Sequence, residues 1–484
     1  MALSSTATTS SASAPARKSA PYLFLGQVTS LCETCLGLVP AKVIAEGNDV
    51  FYLKRCAAHG VQKTRVSDDL GYWKSTQDWL KPGDRPLVTQ TRTENGCPHD
   101  CGLCPDHEQH SCLAIIEINA ECNLSCPVCF ADSAPKRGAN RPLATIEAMM
   151  DRLVESEGEP DLLQISGGEP TLHPDFFAIL DAAKARPIRH LMVNTNGLRI
   201  AQDPEFVARL ASYMPRFEIY LQLDSLHDEA LANIRGARLA AIRHEALAAL
   251  ERHGISTTLV VTVKKGVNDD EIPALVRFAL QWRCVRGITF QPVQDAGRND
   301  GFDPAHHRIL LSEIRRRIAE AGVFELADLI PLPCNPDQIC IGYGLRDGSA
   351  VTPVTALLPR ELFVAAVPNT VSFEAYPELQ RRVFELLSLS TAQADTSHKL
   401  ASLLCCLPQA AVPTNLGYDR TFRVVISQFL DRHNFNTGTV KRSCVHFVTI
   451  DGRIIPFDTY NTFYRAGAPG NAALVAAGGI VDGG

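Results

Sequence analysis

No stretch of this sequence stays apolar for the roughly twenty residues that a membrane-spanning helix requires, so no transmembrane segment is expected. Positive charge is not in excess either. The formal net charge of -6 offers no basic face for a phosphate backbone, and nucleic acid is not an expected partner. The first residues, rich in Ser, Thr and Ala, lack the apolar centre of a signal peptide and read as a disordered tail over 1–21. No internal repeat is present.

Cysteine is the opposite case, with sixteen in 484 residues. Disulfide frameworks belong mostly to short secreted chains, so cysteines in a chain this long point to metal or catalytic use in a reducing cytoplasm. Cys97, Cys101, Cys104, Cys112, Cys122, Cys126 and Cys129 put seven thiols into 33 residues.

From Leu113 onward, short apolar runs alternate with amphipathic stretches. "LAIIEIN", "DLLQIS", "HLMVNTN", "FEIYLQL", "TTLVVTV" and "GITFQPV" read as strands, and segments such as "TIEAMMDRLVESEG" and "EIPALVRFALQWR" as helices. This alternation predicts βαβ units on a parallel sheet. Six units are too few for a closed eight-stranded barrel, so the expected fold is α/β, an open partial (β/α)6 barrel over 113–300. Before it come a Cys-rich metal domain at 22–93 and a cluster segment at 94–112. After it comes an α+β auxiliary region at 301–484. In such folds the chemistry lies beyond the carboxyl ends of the strands. There "ECNLSCPVCF", "SGGEPTLHP", "NTNG" and "QLDS" converge.

A four-iron cluster normally takes one thiolate per iron, so Cys122, Cys126 and Cys129 would leave one iron open to a small chelating molecule. Upstream, Cys97, Cys101, Cys104 and Cys112 offer a complete set for an auxiliary [4Fe-4S] cluster or for a structural zinc. The neighbouring His99, His107 and His110 read as loop residues. Cys32-x2-Cys35 with Cys56-x2-His59 has the spacing of a mononuclear tetrahedral site for zinc or rubredoxin-like iron. Cys334, Cys340 and Cys444, with Cys405 or Cys406 completing the set, could gather a further cluster, with buried free thiols as the alternative.

Cys122-x3-Cys126-x2-Cys129-Phe130, followed by Gly167-Gly168-Glu169-Pro170, resembles the radical S-adenosylmethionine (SAM) superfamily. The resemblance implies that the three cysteines hold the cluster and Phe130 shields it. It further implies that Gly167 and Gly168 allow close backbone approach, that Glu169 helps to hold the methionine ammonium, and that Asn196, Gln222 and Asp224 contact SAM or substrate. A reductant such as flavodoxin or ferredoxin is the implied electron donor. The ordered motifs "CPHDCGLCPDH", "FQPVQDAGR" and "KRSCVHF…IPFDTYNTFYR" are similar to the branch of tetraether lipid synthase and the 7,8-dihydro-6-hydroxymethylpterin methyltransferase. That branch implies carbon–carbon bond formation at an unactivated carbon, either coupling lipid chains or methylating a pterin-like ring. The chain departs from the branch at Asp458, where some members have cysteine, and at Ser443, where some have a double cysteine. On the first departure the expectation leans to coupling of apolar chains, with peripheral membrane contact. The alternative is pterin methylation, and a non-catalytic iron–sulfur relay is the third reading.

Overall fold

The computed structural model describes residues 20–348, 350–356 and 420–482. Cys405, Cys406 and most of the apolar stretch at 351–366 lie outside the described residues. Strands β1 (Leu23–Leu31), β2 (Leu38–Glu46), β3 (Asp49–Cys56) and β4 (Gly60–Ser67) form an antiparallel meander. Alternation along β3 buries Val50, Tyr52 and Lys54, and the small core there adds Ala41, Val43 and Val66.

The second sheet holds the six expected strands in sequence order: β5 (Leu113–Glu117), β7 (Leu162–Ser166), β8 (His190–Thr195), β9 (Phe217–Gln222), β10 (Thr257–Val263) and β11 (Val285–Pro292). Between them, β6 (Val128–Cys129) pairs with β12 (Arg298–Asn299) in a short separate ribbon. The helices bury one stripe each; in Leu143–Glu157 it is Ile146, Met149, Met150 and Leu153, at i, i+3, i+4 and i+7. The core cluster lies between these stripes and the sheet.

The described residues after 300 do not build a separate sheet. They contribute β13 (Leu329–Pro331), β14 (Ile339–Asp347), β15 (Ala350–Pro353), β16 (Thr421–Ser427), β17 (Val445–Val448) and β18 (Ile454–Pro456). Strand β16 pairs in parallel with β11, and β17 in parallel with β5. Both edges of the six-stranded core are thereby covered, which satisfies backbone groups that an open sheet would leave unpaired. Antiparallel β14 and β18 then flank β16 and β17. No helix among the described residues is long and apolar enough to cross a membrane.

A buried charge network joins the meander to the barrel. Lys54 donates to Glu33 at 3.1 Å and to the Arg432 carbonyl at 2.7 Å. His433 lies between Glu33 and Asp295, at 3.0 Å from each. Burial opposes protonation of His433, but the hydrogen bonds to Asp295 and Glu33 outweigh it and raise its pKa to about 9. Burial also opposes ionisation of Glu33, yet His433, Lys54 and Thr64 hold its carboxyl down at about 2. The stability from His433 is fully present below its unfolded value of roughly 6.5 and is lost as pH rises through about 9. That from Glu33 is present above roughly 4.3 and is lost as pH falls through about 2. The melting midpoint should therefore fall between about pH 7 and pH 10, and His433→Gln should flatten that limb. Equal slopes in the two proteins would remove His433 from the network's role.

Candidate active site

The loop after β5 carries Cys122, Cys126 and Cys129, and the turn after β7 docks on it mainly through backbone, with the Asn119 side-chain amide donating to the Glu169 carbonyl at 2.9 Å. Gly168 donates to the Asn119 carbonyl at 2.9 Å, and Glu169 donates to the Glu121 carbonyl at 2.9 Å. A Cβ on Gly168 would sit 2.2 Å from the Glu121 oxygen, so a side chain there would push the two loops apart. On the other side, Arg298 donates to the Cys126 carbonyl at 2.6 Å and the Ser133 carbonyl at 2.6 Å. Gly297, at φ +64, passes so close that a Cβ would lie 2.4 Å from the Phe130 oxygen.

The three cysteines line one cleft with Phe130, Gly167, Gly168, Glu169, Asn196 and Gln222. Their sulfurs do not all lie within 4.8 Å of one another, a spread that suits one thiolate per iron rather than a single shared ion. Burial pushes the Cys122 thiol up to about 12, so thiolates here need cations close by. The donor set fits a four-iron cluster with one open iron.

Glu169 is buried and held by four donors: the Thr171 N–H (3.2 Å) and hydroxyl (2.6 Å), the Thr195 hydroxyl (2.7 Å) and the Asn196 N–H (2.8 Å). Asn196 donates to Asn123 at 2.6 Å, within the cysteine loop. Phe130 packs edge-on against Phe457, with ring centres 5.3 Å apart. Asp224 is placed differently from the sequence expectation. It lies behind the cleft wall, fully buried, and receives both Nε (2.6 Å) and Nη2 (2.7 Å) of Arg235 and the Thr262 N–H. Its carboxylate is thereby occupied inside the protein, and Gln222 joins the same network through Arg235 at 2.9 Å. Arg235 is the last residue of the helix Asp228–Arg235, which ends at Gly236 in the left-handed region at φ 74.

Two arginines escaped the sequence reading. Arg235 is the first. Arg243 is the second: it is 1% exposed, lines the cleft, and none of its three side-chain nitrogens has a hydrogen-bond partner. Burial pushes its pKa down to about 10, which leaves it cationic near neutrality. A sequence signal did exist, because Arg243 shares the apolar stripe of Ala246, Leu247 and Leu250 at i, i+3, i+4 and i+7.

The other metal-binding candidates regroup. Cys32, Cys35, Cys56 and His59 do come together, with Cys35 and Cys56 sulfurs 4.0 Å apart and His59 Nδ1 3.5 Å from both Cys32 and Cys56. Cys97, Cys101 and Cys104 stay in their own loop, where Cys101 contacts Thr459 at 3.3 Å. Cys112 is not their fourth partner; it lies with Cys334 and Cys444, because β5 and β17 start side by side. Cys340 does not join that group either. It faces the main core from β14, whereas Ile339 and Ile341 face the cluster that holds Cys334, as the two-residue period of a strand requires.

Residues 116–279 match the Radical SAM superfamily. The chain is a radical SAM enzyme. As a radical SAM enzyme it uses a [4Fe-4S] cluster and SAM. Residues 24–68 match the HMPTM N-terminal zinc ribbon domain, so the meander of β1–β4 is a zinc ribbon. The enzyme is 28% identical to 7,8-dihydro-6-hydroxymethylpterin dimethyltransferase of Methanocaldococcus jannaschii, over 90% of this chain and 93% of that one. It is 30% identical to the mycofactocin maturase MftC of Mycobacterium ulcerans, over 36% of this chain and 45% of that one. Among solved structures, Streptococcus suis SuiB bound to S-adenosylmethionine shares 19% identity and a TM-score of 0.36, covering 44% of this chain and 47% of that one.

Removing one partner of a buried ion pair strands the other charge, at a cost of about 3–5 kcal/mol. Arg235→Leu should lower stability by about that amount in anaerobic chemical denaturation. A loss below about 1 kcal/mol would mean that the pair with Asp224 does not hold the cleft wall.

Proposed function

We propose that this radical SAM enzyme methylates a carbon of a planar, pterin-like heterocycle. The observation that carries this reading is the make-up of the cleft. One wall is aromatic, with Phe429 stacked on Phe457 at 3.7 Å and Phe130 beside them. The same cleft is lined by the amides of Asn194, Asn196, Gln222, Gln291 and Gln294, and the Gln294 Oε1 has no partner. Amides paired with a flat apolar wall suit the donor-and-acceptor edge of a fused heterocycle, whereas a lipid chain calls for an apolar tunnel. The likeness to the archaeal pterin enzyme, which runs over nearly the whole chain, supports the same choice.

This reading replaces the preference for chain coupling drawn from Asp458. The Asp458 carboxylate is buried and accepts from the Gln338 amide at 2.9 Å and from the Leu430 N–H. It serves to brace loops, and carries no information on substrate.

In the proposed site Cys122, Cys126 and Cys129 hold the cluster, and Phe130 covers it. When reduced, the cluster with SAM supplies a 5′-deoxyadenosyl radical that removes hydrogen from carbon; the electron comes from a reductant such as flavodoxin or ferredoxin. Glu169, fixed by Thr171, Thr195 and Asn196, takes the ammonium end of SAM. Arg243 takes its carboxylate, which supplies the partner its guanidinium otherwise lacks. The aromatic wall and the amides orient the ring.

The test is anaerobic turnover of methyl-deuterated SAM with reduced 6-hydroxymethylpterin, read by product mass. A methyl gain is expected, and deuterium in it identifies SAM as the donor. A loss of two hydrogens per new bond without a methyl gain overturns methylation in favour of coupling.

A hydrogen bond to a charged group contributes about 1.5–3 kcal/mol, so Arg243→Met should weaken SAM binding by roughly 10- to 150-fold in equilibrium dialysis. Cluster iron should stay at the wild-type level. Unchanged affinity would take Arg243 out of the SAM site.

A further inference from the structure

We propose that a second cleft, beside the cysteine loop, is the docking surface for a small acidic electron-carrier protein. Asp132, Arg137 and Arg141, from the segment that leaves Cys129 and Phe130, line this cleft together with Arg298 and Arg465. Ala131, Ser133 and Gly167 line both this cleft and the candidate active site, so the two share a wall. That wall is the continuation of the cysteine loop itself. In the proposed function SAM and substrate occupy the first cleft, and a carrier seated in the second is separated from the thiolates by this one loop.

Charge selects the partner. The lining sets four arginines, Arg137, Arg141, Arg298 and Arg465, against two carboxylates, Glu117 and Asp132. Arg465 neutralises Glu117 through two hydrogen bonds, and Arg298 and Arg137 share Asp132. Arg141 donates from Nε to the Glu117 carbonyl at 2.8 Å, and no carboxylate among the described residues matches its charge. Lys136 extends the positive patch, exposed beside Arg137. On a chain of net charge -6 this surplus is local. The Arg137 side chain is 58% exposed. Charges so exposed hold a small anion weakly, but together they steer and orient an acidic protein. The surface is also preformed. Asp132 (φ 49), Lys136 (φ 58) and Gly138 (φ 79) are all left-handed, and a Cβ on Gly138 would lie 2.4 Å from that of Ala120. The loop is pressed onto the stretch after β5, and Arg298 ties it down through the Ser133 carbonyl at 2.6 Å. A fixed loop presents its charges with little ordering cost. Small, salt-sensitive contacts of this kind are usual between electron-transfer partners.

The step moves one electron: the carrier's cofactor is oxidised by one, the active-site cluster is reduced by one, and no bond to the carrier forms. The inference rests on the cluster at Cys122, Cys126 and Cys129, and not on the choice of substrate. Its test compares two reductants in anaerobically reconstituted full-length enzyme. Flavodoxin hydroquinone must dock, whereas reduced methyl viologen, a small cation, need not. At limiting flavodoxin and low salt, Lys136→Glu with Arg137→Glu should slow 5′-deoxyadenosine formation about tenfold. The difference should shrink above about 0.5 M salt, where surface charges are screened. Equilibrium binding of oxidised flavodoxin should weaken by a similar factor, a readout free of turnover. Viologen-driven cleavage should not fall. A flavodoxin-driven rate within about twofold of the unaltered enzyme at low salt overturns the proposal. Equal losses with both reductants assign the two residues to the structure of the loop and overturn it as well. No SAM cleavage with viologen in the unaltered enzyme would remove the cluster reading, and the docking surface with it.

Discussion

Strand β5 has Cys112 at its amino end and the cysteine loop at its carboxyl end, roughly 20 Å apart at the usual rise per residue. Its free edge is taken by β17, in parallel register from Val445 against Leu113, and the Leu113 N–H donates to the Cys444 carbonyl at 3.1 Å. This pairing decides what stands at both ends. At the amino end it sets Cys444 beside Cys112. At the carboxyl end it brings Phe447 and the following Phe457 against Phe130. It also carries Arg465 onto Glu117, the last residue of β5, through two hydrogen bonds of 2.8 and 2.9 Å. A distant segment of the chain is thereby fixed as a wall of the cleft.

The cleft is built to hold charge in a dry place, and its two arginines do so in opposite ways. Arg235 is neutralised by Asp224 inside the protein, and the attraction raises its pKa despite burial. Arg243 has no such neighbour within hydrogen-bonding reach. Two like charges share one wall, but one has its carboxylate inside the protein and the other is the proposed partner of the SAM carboxylate. A protein gains nothing in stability from an unpaired buried guanidinium. In the proposed site its cost is recovered in binding, because an anion paired with it in a low-dielectric site is held more strongly than in water.

Features written in short segments were legible in the sequence. The six strands, the cysteine loop, the Gly167–Gly168 turn and the ribbon's four ligands each depend on residues close together in the chain or on a local period. What escaped depends on pairing between distant segments. Nothing local in "TFRVVIS" or "SCVHFV" shows that these strands close the two edges of the barrel sheet. Cys112 was therefore grouped with its sequence neighbours rather than with Cys444. Cys340 was misassigned for a different reason, since strand alternation turns it away from Cys334 although they are near in sequence. Asp224 was read as a free contact because its partner, Arg235, stands on the next helix.

The same distinction separates the metal sites by what they do for folding. The active-site cysteines come from one loop, and the ribbon's ligands from a single meander. Cys112, Cys334 and Cys444 instead come together from three segments, two of which are 110 residues apart. Closing loops of that length costs entropy that grows only slowly with length, so one strong coordination site can offset it. An ion held there would convert its binding free energy into folding free energy for β14 and β17. These strands cover β16 and β5, and β5 leads into the cysteine loop. The foot of the sheet is thereby tied to the cleft at its top through the strand that joins them.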